Sequence, residues 1–567
     1  MFAKSRQLIL APLITGLVAV VLVALVRFGN DTAAHLYLTA LFAKYHRLIF
    51  WDNFWYFGKF QFLGYSYIYY PLAAFTTTWL PPILGLMAIS GVVSSFCLKL
   101  RAISWNGVDS DRPGFLGSYF GTISTAVAIG VPAGALILTG AYPFLTSLAF
   151  ASFAIVAMNK RSWVSYCLFL ILAGATSPLV LVWILVGVTF SAVRFLTKES
   201  ANYHPIKVAG LGSAWLRAKK ALGVLLGSSI TRIGMGLPLL GLFGDYEISK
   251  YFGIGGKYPF FGSDLGLVLG FSLILLVVVN VFVDDGERAP IVIPTLLYMA
   301  GSLILFTVST TLGGNIARVG EISPILIAVL YLFSKGSTRG PKSRKVRLAV
   351  FALLYLLGVG WEFISIEAPI FDPSAAWLTN SSNWSGLVRV LKASYPGQRV
   401  EYVDSLLHEG SYFLANSQIP LARGWFRQSD FNQNEIFYGV RLTSREYKDW
   451  LCSNQVRAVI LPPAPYDYSS QREAQIVASP STYLVNPIKI GEFKVFEVAG
   501  CPSAPLQIRS IGVTTISVSI AKAGSYLLPI NFSPFESAVG AKIARAKGGR
   551  AEISVSKGGN YLIMTGY

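Results

Sequence analysis

Long apolar runs separated by short polar gaps occupy the first two thirds of the chain. The first covers about residues 8–26, after Lys4 and Arg6, and is long enough to cross a bilayer as a helix. Further runs fall at about 69–98, 114–136, 142–158, 162–175, 179–195, 221–240, 263–283, 290–309, 321–334 and 348–365. Together they predict an α-helical polytopic membrane protein with about eleven transmembrane helices. Thr176-Ser177-Pro178 reads as a turn between two of them, and the run 221–240 holds Arg232 in its interior. No convincing small-residue cleavage site follows the first run, so it reads as an uncleaved signal anchor with a cytoplasmic N-terminus.

Beyond residue 365 the pattern changes from long runs to short alternation. Strands are expected at Arg399–Asp404, Ala458–Leu461, Tyr483–Val498, Leu506–Ile520, Tyr526–Phe532 and Ala551–Met564, the last interrupted by Gly558-Gly559. Three units follow from this: a transmembrane domain over 1–365, a mixed α/β unit over 366–504 and a β-sandwich-like unit over 505–567.

Composition agrees with the pattern. Of 567 residues, 53% are hydrophobic and 13% charged, about half the charged share of a soluble domain. The net charge of +19 could suggest nucleic acid, but its placement argues otherwise. Residues 1–365 hold 28 Lys and Arg against 13 Asp and Glu, mostly in short gaps between apolar runs. With the N-terminus inside, 20 of those 28 fall on cytoplasmic segments, the richest being Lys335, Arg339, Lys342, Arg344, Lys345 and Arg347. The odd helix count then places residues 366–567 outside the plasma membrane. Of four cysteines, Cys97 and Cys167 lie in apolar runs, while Cys452 and Cys501 could pair in an oxidising compartment.

Two long outside segments stand out, about 28–68 and about 241–262. The first begins Asn30-Asp31-Thr32-Ala33-Ala34-His35, continues through Trp51-Asp52-Asn53-Phe54-Trp55-Tyr56-Phe57-Gly58, and ends near Tyr69-Tyr70-Pro71. Asp31 and His35 share one face if this stretch is helical. Asp31 stands just beyond the outer end of the first membrane helix, where a carboxylate could meet a substrate at the membrane surface. The Asp-Thr-x-x-His start, the aromatic loop with Trp-Tyr-x-Gly and the Tyr-Tyr-Pro entering the second helix resemble the polytopic GT-C glycosyltransferases. The likeness is strongest to the branch labelled membrane proteins related to 6-pyruvoyl-tetrahydropterin synthase.

The resemblance implies a GT-C-like fold and a polyprenyl-phosphate-linked sugar donor used on the outer face. It implies a glycan, glycolipid or protein acceptor, and Asp31 as the catalytic base. The chemistry has a physical basis: a carboxylate within hydrogen-bond reach can take the proton of an acceptor hydroxyl as the new bond forms, with inversion at the sugar carbon. The competing reading of Asp31 is an N-cap. His35 could orient Asp31 or meet the donor phosphate, or be packed on aromatics. Trp55, Tyr56, Tyr69 and Tyr70 could stack on acceptor sugars or form an interfacial belt.

The leaving phosphate calls for positive charge. Arg318, close to Glu321, is the first candidate because arginine makes bidentate phosphate contacts. Lys257 comes next, with Lys250 in the same aromatic loop, and Arg232 in its apolar run should face a cavity. Asp52 could join Asp31 around a divalent ion or cap the Trp51–Phe57 turn. No motif specifies any other cofactor. Asp109-Ser110-Asp111 falls on the cytoplasmic side and reads as a solvated pair. Two other classes compete with the transferase: a transporter or flippase for a lipid-linked saccharide, and a non-catalytic envelope assembly factor. Transporters place ionisable residues at mid-membrane, whereas the runs from 114 to 195 hold almost none.

Overall fold

The computed structural model of the chain describes residues 2–566 apart from 27, 30, 62–65, 106–114, 203–228, 252–257, 309, 311, 335–343, 364–371 and 440. The apolar runs fold as helices: α1 (Phe2–Leu25), α4 (Leu80–Trp105), α5 (Phe115–Ala135), α6 (Tyr142–Asn159), α7 (Trp163–Thr176), α8 (Val180–Asn202), α9 (Ser229–Tyr251), α10 (Gly262–Phe282) and α11 (Asp285–Thr307). Between α1 and α4 lie α2 (Thr32–Tyr45) and α3 (Tyr69–Phe75). Beyond α11 come α12 (Arg318–Glu321), α13 (Ser323–Ser334) and α14 (Arg344–Phe363).

Among the described residues, seven segments are long and apolar enough to cross a membrane: Leu8–Leu25, Leu80–Cys97, Tyr142–Asn159, Gly262–Phe282, Glu287–Thr307, Gly313–Tyr331 and Lys345–Phe363. Three shorter apolar helices cover Ile123–Thr139, Trp163–Thr176 and Val180–Arg194. The expected count of eleven is thus not reached among the described residues, which hold seven full-length segments and three short ones. The eleventh run, 221–240, begins outside the described residues. Leu13, Leu17, Leu25, Ile171 and Leu240 project openly from the bundle, an apolar surface of the kind that lipid covers.

Two departures bear on function. The segment Gly313–Tyr331 is not one straight helix: a 3-10 turn (Gly313–Ala317), α12 and α13 follow one another, and Arg318 sits in the break. The expected loop from 241 is helical as far as Tyr251, because α9 continues past its apolar run with Asp245, Glu247 and Lys250 on its last turns.

The C-terminal region is built on sheets. Strands β3 (Val400–Tyr402), β4 (Ala458–Leu461), β5 (Leu484–Ile490) and β6 (Phe493–Val498) form one sheet in the order β3-β4-β6-β5, parallel only between β3 and β4. Helices Glu409–Asn416, Ser444–Ser453 and Gln471–Ala478 accompany it. Beyond it lie β7 (Leu506–Ile511), β8 (Thr515–Ile520), β9 (Gly524–Asn531), β10 (Ser537–Ala538), β11 (Ala541–Arg545), β12 (Arg550–Val555) and β13 (Gly559–Met564). They make two antiparallel sheets, β10-β13-β8-β7 and β11-β12-β9, with Ile516, Val518, Ile553 and Ile563 inside. The short strands β10 and β11 lie outside the runs of alternation seen in the sequence. Cys452 and Cys501, 49 residues apart, form a disulfide.

The segment after α1 is stitched to this region. Its hairpin, β1 (Trp51–Asp52) with β2 (Lys59–Phe60), places Asn53 so that its side-chain amide donates to the Gly512 carbonyl (3.1 Å) and the Thr565 hydroxyl (2.8 Å). The amide of Asn531 donates to the carbonyls of Tyr56 and Gly58, both at 2.8 Å. The Leu421 N–H donates to the Phe54 carbonyl at 2.8 Å.

Candidate active site

Asp31 stands at the N-cap position of α2, yet its side chain makes no capping bond. Thr32 holds the turn instead: its hydroxyl accepts from the Gly29 N–H and lies against the Tyr142 hydroxyl, both at 2.8 Å. The chain at 29–32 can lie this close to the turn after α5 because Gly140 takes φ +72°, where a Cβ would crowd the backbone of Gly29, Asp31 and Thr32. The Asp31 carboxylate is thereby free to point elsewhere. It meets Arg318 at 2.5 Å, an ion pair between residues 287 apart in sequence.

Arg318 reaches it from the broken segment after α11. The Tyr258 N–H donates to the Thr310 carbonyl at 3.0 Å, and the Tyr298 hydroxyl holds the Ile316 carbonyl at 3.1 Å. Asp31, Arg318, Tyr258 and Asn315 form one side of a small cleft that is partly open to solvent. Trp425, Phe426, Arg427 and Gln428 of the C-terminal region form the other. The side chains of Arg318 and Asp31 keep 17% and 11% of their surface accessible, so the pair sits in the cleft wall and not in a sealed core.

The electrostatics suit a charged site. Burial works against the Asp31 charge, but its surroundings, the Arg318 guanidinium foremost, together outweigh it and hold the carboxyl below the usual carboxylate range. Opposite, Arg427 makes a bidentate pair with Asp467 (2.8 and 2.6 Å) and lies over the rings of Trp425 and Tyr468. Trp425 also stacks on His408, at 3.1 Å between ring centroids, and Asp404 holds His408 Nδ1 at 2.7 Å. Burial raises the Tyr258 phenol, which stays neutral and able to donate.

Several residues singled out in the sequence lie elsewhere. His35 is fully buried among the rings of Tyr69, Tyr70 and Tyr142, with Nδ1 3.1 Å from the Tyr70 hydroxyl. Burial pushes its imidazole down to about 3, so it stays neutral. Tyr69 and Tyr70 thus pack around a histidine, and the Tyr69 hydroxyl donates to the Thr78 carbonyl at 2.7 Å. Trp55 and Tyr56, expected to meet sugar, are sealed between the hairpin and the C-terminal region. Trp55 donates to the Ser411 carbonyl (3.2 Å), and a Cβ at Gly424 would collide with its ring. The Tyr56 hydroxyl donates to the Gly424 carbonyl (2.6 Å) and accepts from the Phe426 N–H (2.7 Å). These aromatics position the cleft wall instead of contacting a ligand.

Asp52 accepts from the Tyr37 hydroxyl, the Gln61 amide and the Phe54 N–H, so its oxygens anchor the hairpin. With Arg318 on Asp31 as well, the two carboxylates do not fit as joint ligands of an ion. Among the described residues, no group of three His, Cys, Asp or Glu side chains suits a metal. Arg232 lies exposed in the first turn of α9. Lys250 is in the last turn, about 27 Å of helix away at 1.5 Å per residue, and the chain leads from that end to Tyr258. Arg232 therefore stands at the end of α9 away from Tyr258 and is not among the residues lining the cleft. Lys257 and Asp109–Asp111 lie outside the described residues.

Arg427 and Gln428 were not singled out by sequence reasoning. The available signal was a guanidinium directly after Trp425-Phe426, aromatics that the sequence placed outside the membrane.

No protein-family profile matches the chain, and no curated protein matches it. Among solved structures it is similar to the apo oligosaccharyltransferase of Archaeoglobus fulgidus, at 12% identity and a TM-score of 0.40 over 81% of this chain and 69% of that one. It is also similar to the arabinofuranosyltransferase AftD from Mycobacteria, at 12% identity and a TM-score of 0.40 over 91% of this chain and 41% of that one. Neither likeness identifies the chain's family.

Proposed function

We propose that the protein is a membrane glycosyltransferase that moves a sugar from a polyprenyl-phosphate-linked donor to a glycan, lipid or protein acceptor on the outer face. One observation carries this reading. The carboxylate suited to deprotonate an acceptor and the guanidinium suited to hold a donor phosphate meet at 2.5 Å in one cleft, although they come from opposite ends of the helical part.

In this reading the acceptor oxygen forms a bond to the anomeric carbon and the bond from that carbon to the phosphate oxygen breaks. The electron pair leaves with the phosphate, Asp31 receives the acceptor proton, and direct displacement inverts the centre. Arg318 neutralises charge on the leaving phosphate. Trp425, whose ring carries both His408 and Arg427, serves as part of the cleft wall. The position of Arg318 in the break of the segment after α11 supports a lipid headgroup lying beside it while the tail stays among the helices.

The test is turnover. The native protein in detergent is incubated with a panel of polyprenyl phosphate sugars and candidate acceptors, and products are read by mass spectrometry. Transfer by the native protein with a loss of about 10²–10⁴-fold in Asp31→Asn is expected for a general base. Undiminished transfer in folded Asp31→Asn and Asp31→Ala removes Asp31 from the chemistry.

A further inference from the structure

We propose that Arg318 exchanges partners during the reaction: the donor's phosphate displaces Asp31 from the guanidinium, and Asp31 becomes a competent base only once the donor is bound. This rests on Asp31 being the base, and it adds a gate to that reading.

The geometry sets up the exchange. The two groups assigned to different ligands are paired with each other, and a carboxylate held by a guanidinium is a poor proton acceptor. The pair lies in a cleft wall, so an anion can reach it without opening a core. A phosphate offers three oxygens to a guanidinium's parallel N–H groups and competes well with a carboxylate.

Asp31 is fixed by its backbone. Its carbonyl accepts from the His35 N–H at 3.3 Å, and the neighbouring turn is held by Gly29, Thr32 and Tyr142. Arg318 ends a long flexible side chain on a short turn between two helical pieces. The guanidinium is therefore the partner that moves.

The surroundings then make Asp31 a stronger base. His35, at α2, is held neutral by burial. From the C-terminal side Arg427 is engaged by Asp467 and His408 by Asp404. Glu321, on the same turn as Arg318, is itself acidic, and Tyr258 is neutral. Once Arg318 has turned to phosphate, burial acts on the Asp31 carboxylate with less opposition, and its proton affinity rises.

The cycle closes on the same exchange. Transfer leaves Asp31 protonated and neutral, so it does not compete for Arg318 while the lipid phosphate, now carrying the electron pair of the broken bond, occupies it. Loss of that proton to solvent restores the carboxylate, which reclaims Arg318 and helps expel the spent lipid phosphate.

The experiment measures anion affinity, not turnover. Farnesyl phosphate and inorganic phosphate are titrated separately into native protein, Asp31→Asn and Asp31→Asn/Arg318→Gln in detergent. Asp31→Ala replaces Asp31→Asn if the asparagine variant does not fold. Removal of the competing carboxylate should tighten farnesyl phosphate binding about tenfold, the scale of one charge-assisted contact. The gain should vanish in the double variant. Unchanged or weaker farnesyl phosphate binding overturns the exchange. Tightening for inorganic phosphate alone assigns Arg318 to a free anion and overturns it for the lipid donor.

Transfer activity in the same variants separates the two readings. Lost transfer with unchanged farnesyl phosphate affinity retains the base and overturns the exchange. Tighter farnesyl phosphate binding with undiminished transfer shows that phosphate displaces Asp31, but it overturns the gating of a base.

Discussion

Two arginine–carboxylate centres, Arg423 behind one cleft wall and Arg318 in the wall facing it, differ in what they leave open. Arg423 is enclosed: its guanidinium meets Glu401 at 2.7 Å and Glu473 at 2.6 Å, has the Asp430 carboxylate at 3.8 Å, donates to the Ser470 hydroxyl and lies over the Phe437 ring at 3.9 Å. Arg318 meets Asp31 at the edge of a cleft. Both are strong ion pairs, but only the second is placed where a ligand can compete for it. From Arg423 the chain runs through Gly424, seated on Trp55, to Trp425, Phe426 and Arg427, which face Asp31 and Arg318 across the cleft. The closed centre thus positions the wall that the open centre works against. A perturbed arginine pair marks chemistry only when part of it is accessible.

The sharpest way to break this comparison is to remove each arginine. Arg423→Met leaves three buried carboxylates without their cation and should destabilise the fold by about 3–5 kcal/mol. Arg318→Gln leaves one largely buried carboxylate at the cleft edge and should destabilise less, by about 1–3 kcal/mol, while abolishing transfer. Thermal melting in detergent alongside turnover checks both. Similar losses of stability in the two variants would erase the distinction.

A smaller effect tests the connection between the centres. Tyr56→Phe strips the Gly424 carbonyl and the Phe426 N–H of a buried partner. It should destabilise by about 1–3 kcal/mol and lower transfer without touching either ion pair. Unchanged stability with full activity would show that the wall holds its place without this link.

The smallest effect is a pH slope at the same wall. Lys59 lies over the Phe426 ring at 3.4 Å and reaches the Ser429 hydroxyl at 3.2 Å, and burial brings its ammonium down to about 7. The unfolded chain keeps that proton up to its ordinary value of 10.5. Between those values unfolding takes up a proton, so stability should rise with pH through this window. Lys59→Met should flatten the rise in melting temperature. A slope that persists in the variant assigns it to another group.

How far the sequence reveals this arrangement depends on the range of the forces involved. Helices such as α5 and α6 follow directly from apolar runs, because lipid and packing demand the same residues along the whole length. The tail of α9 was hidden because Asp245, Glu247 and Lys250 look like loop composition, while backbone hydrogen bonding continues through them. Asp31 was visible as a carboxylate just past an apolar run. Its pairing with Arg318 was not, since no local pattern links residues 287 apart. Trp55 and Tyr56 misled for a related reason: an aromatic sealed at a junction and one facing a sugar have the same sequence signature. Arg318 and Arg423 also read alike in sequence, since only the fold determines which one is enclosed.

The most direct measurement of the central claim is a double-mutant cycle on Asp31 and Arg318, read by single-turnover transfer from a polyprenyl phosphate sugar with Asp31→Asn, Arg318→Gln and the double variant. If the two side chains serve one reaction in one cleft, the loss in the double variant is far smaller than the product of the single losses. Losses that simply multiply, with each variant folded, would mean that the carboxylate and the guanidinium act independently and that the cleft between them is not the site of transfer.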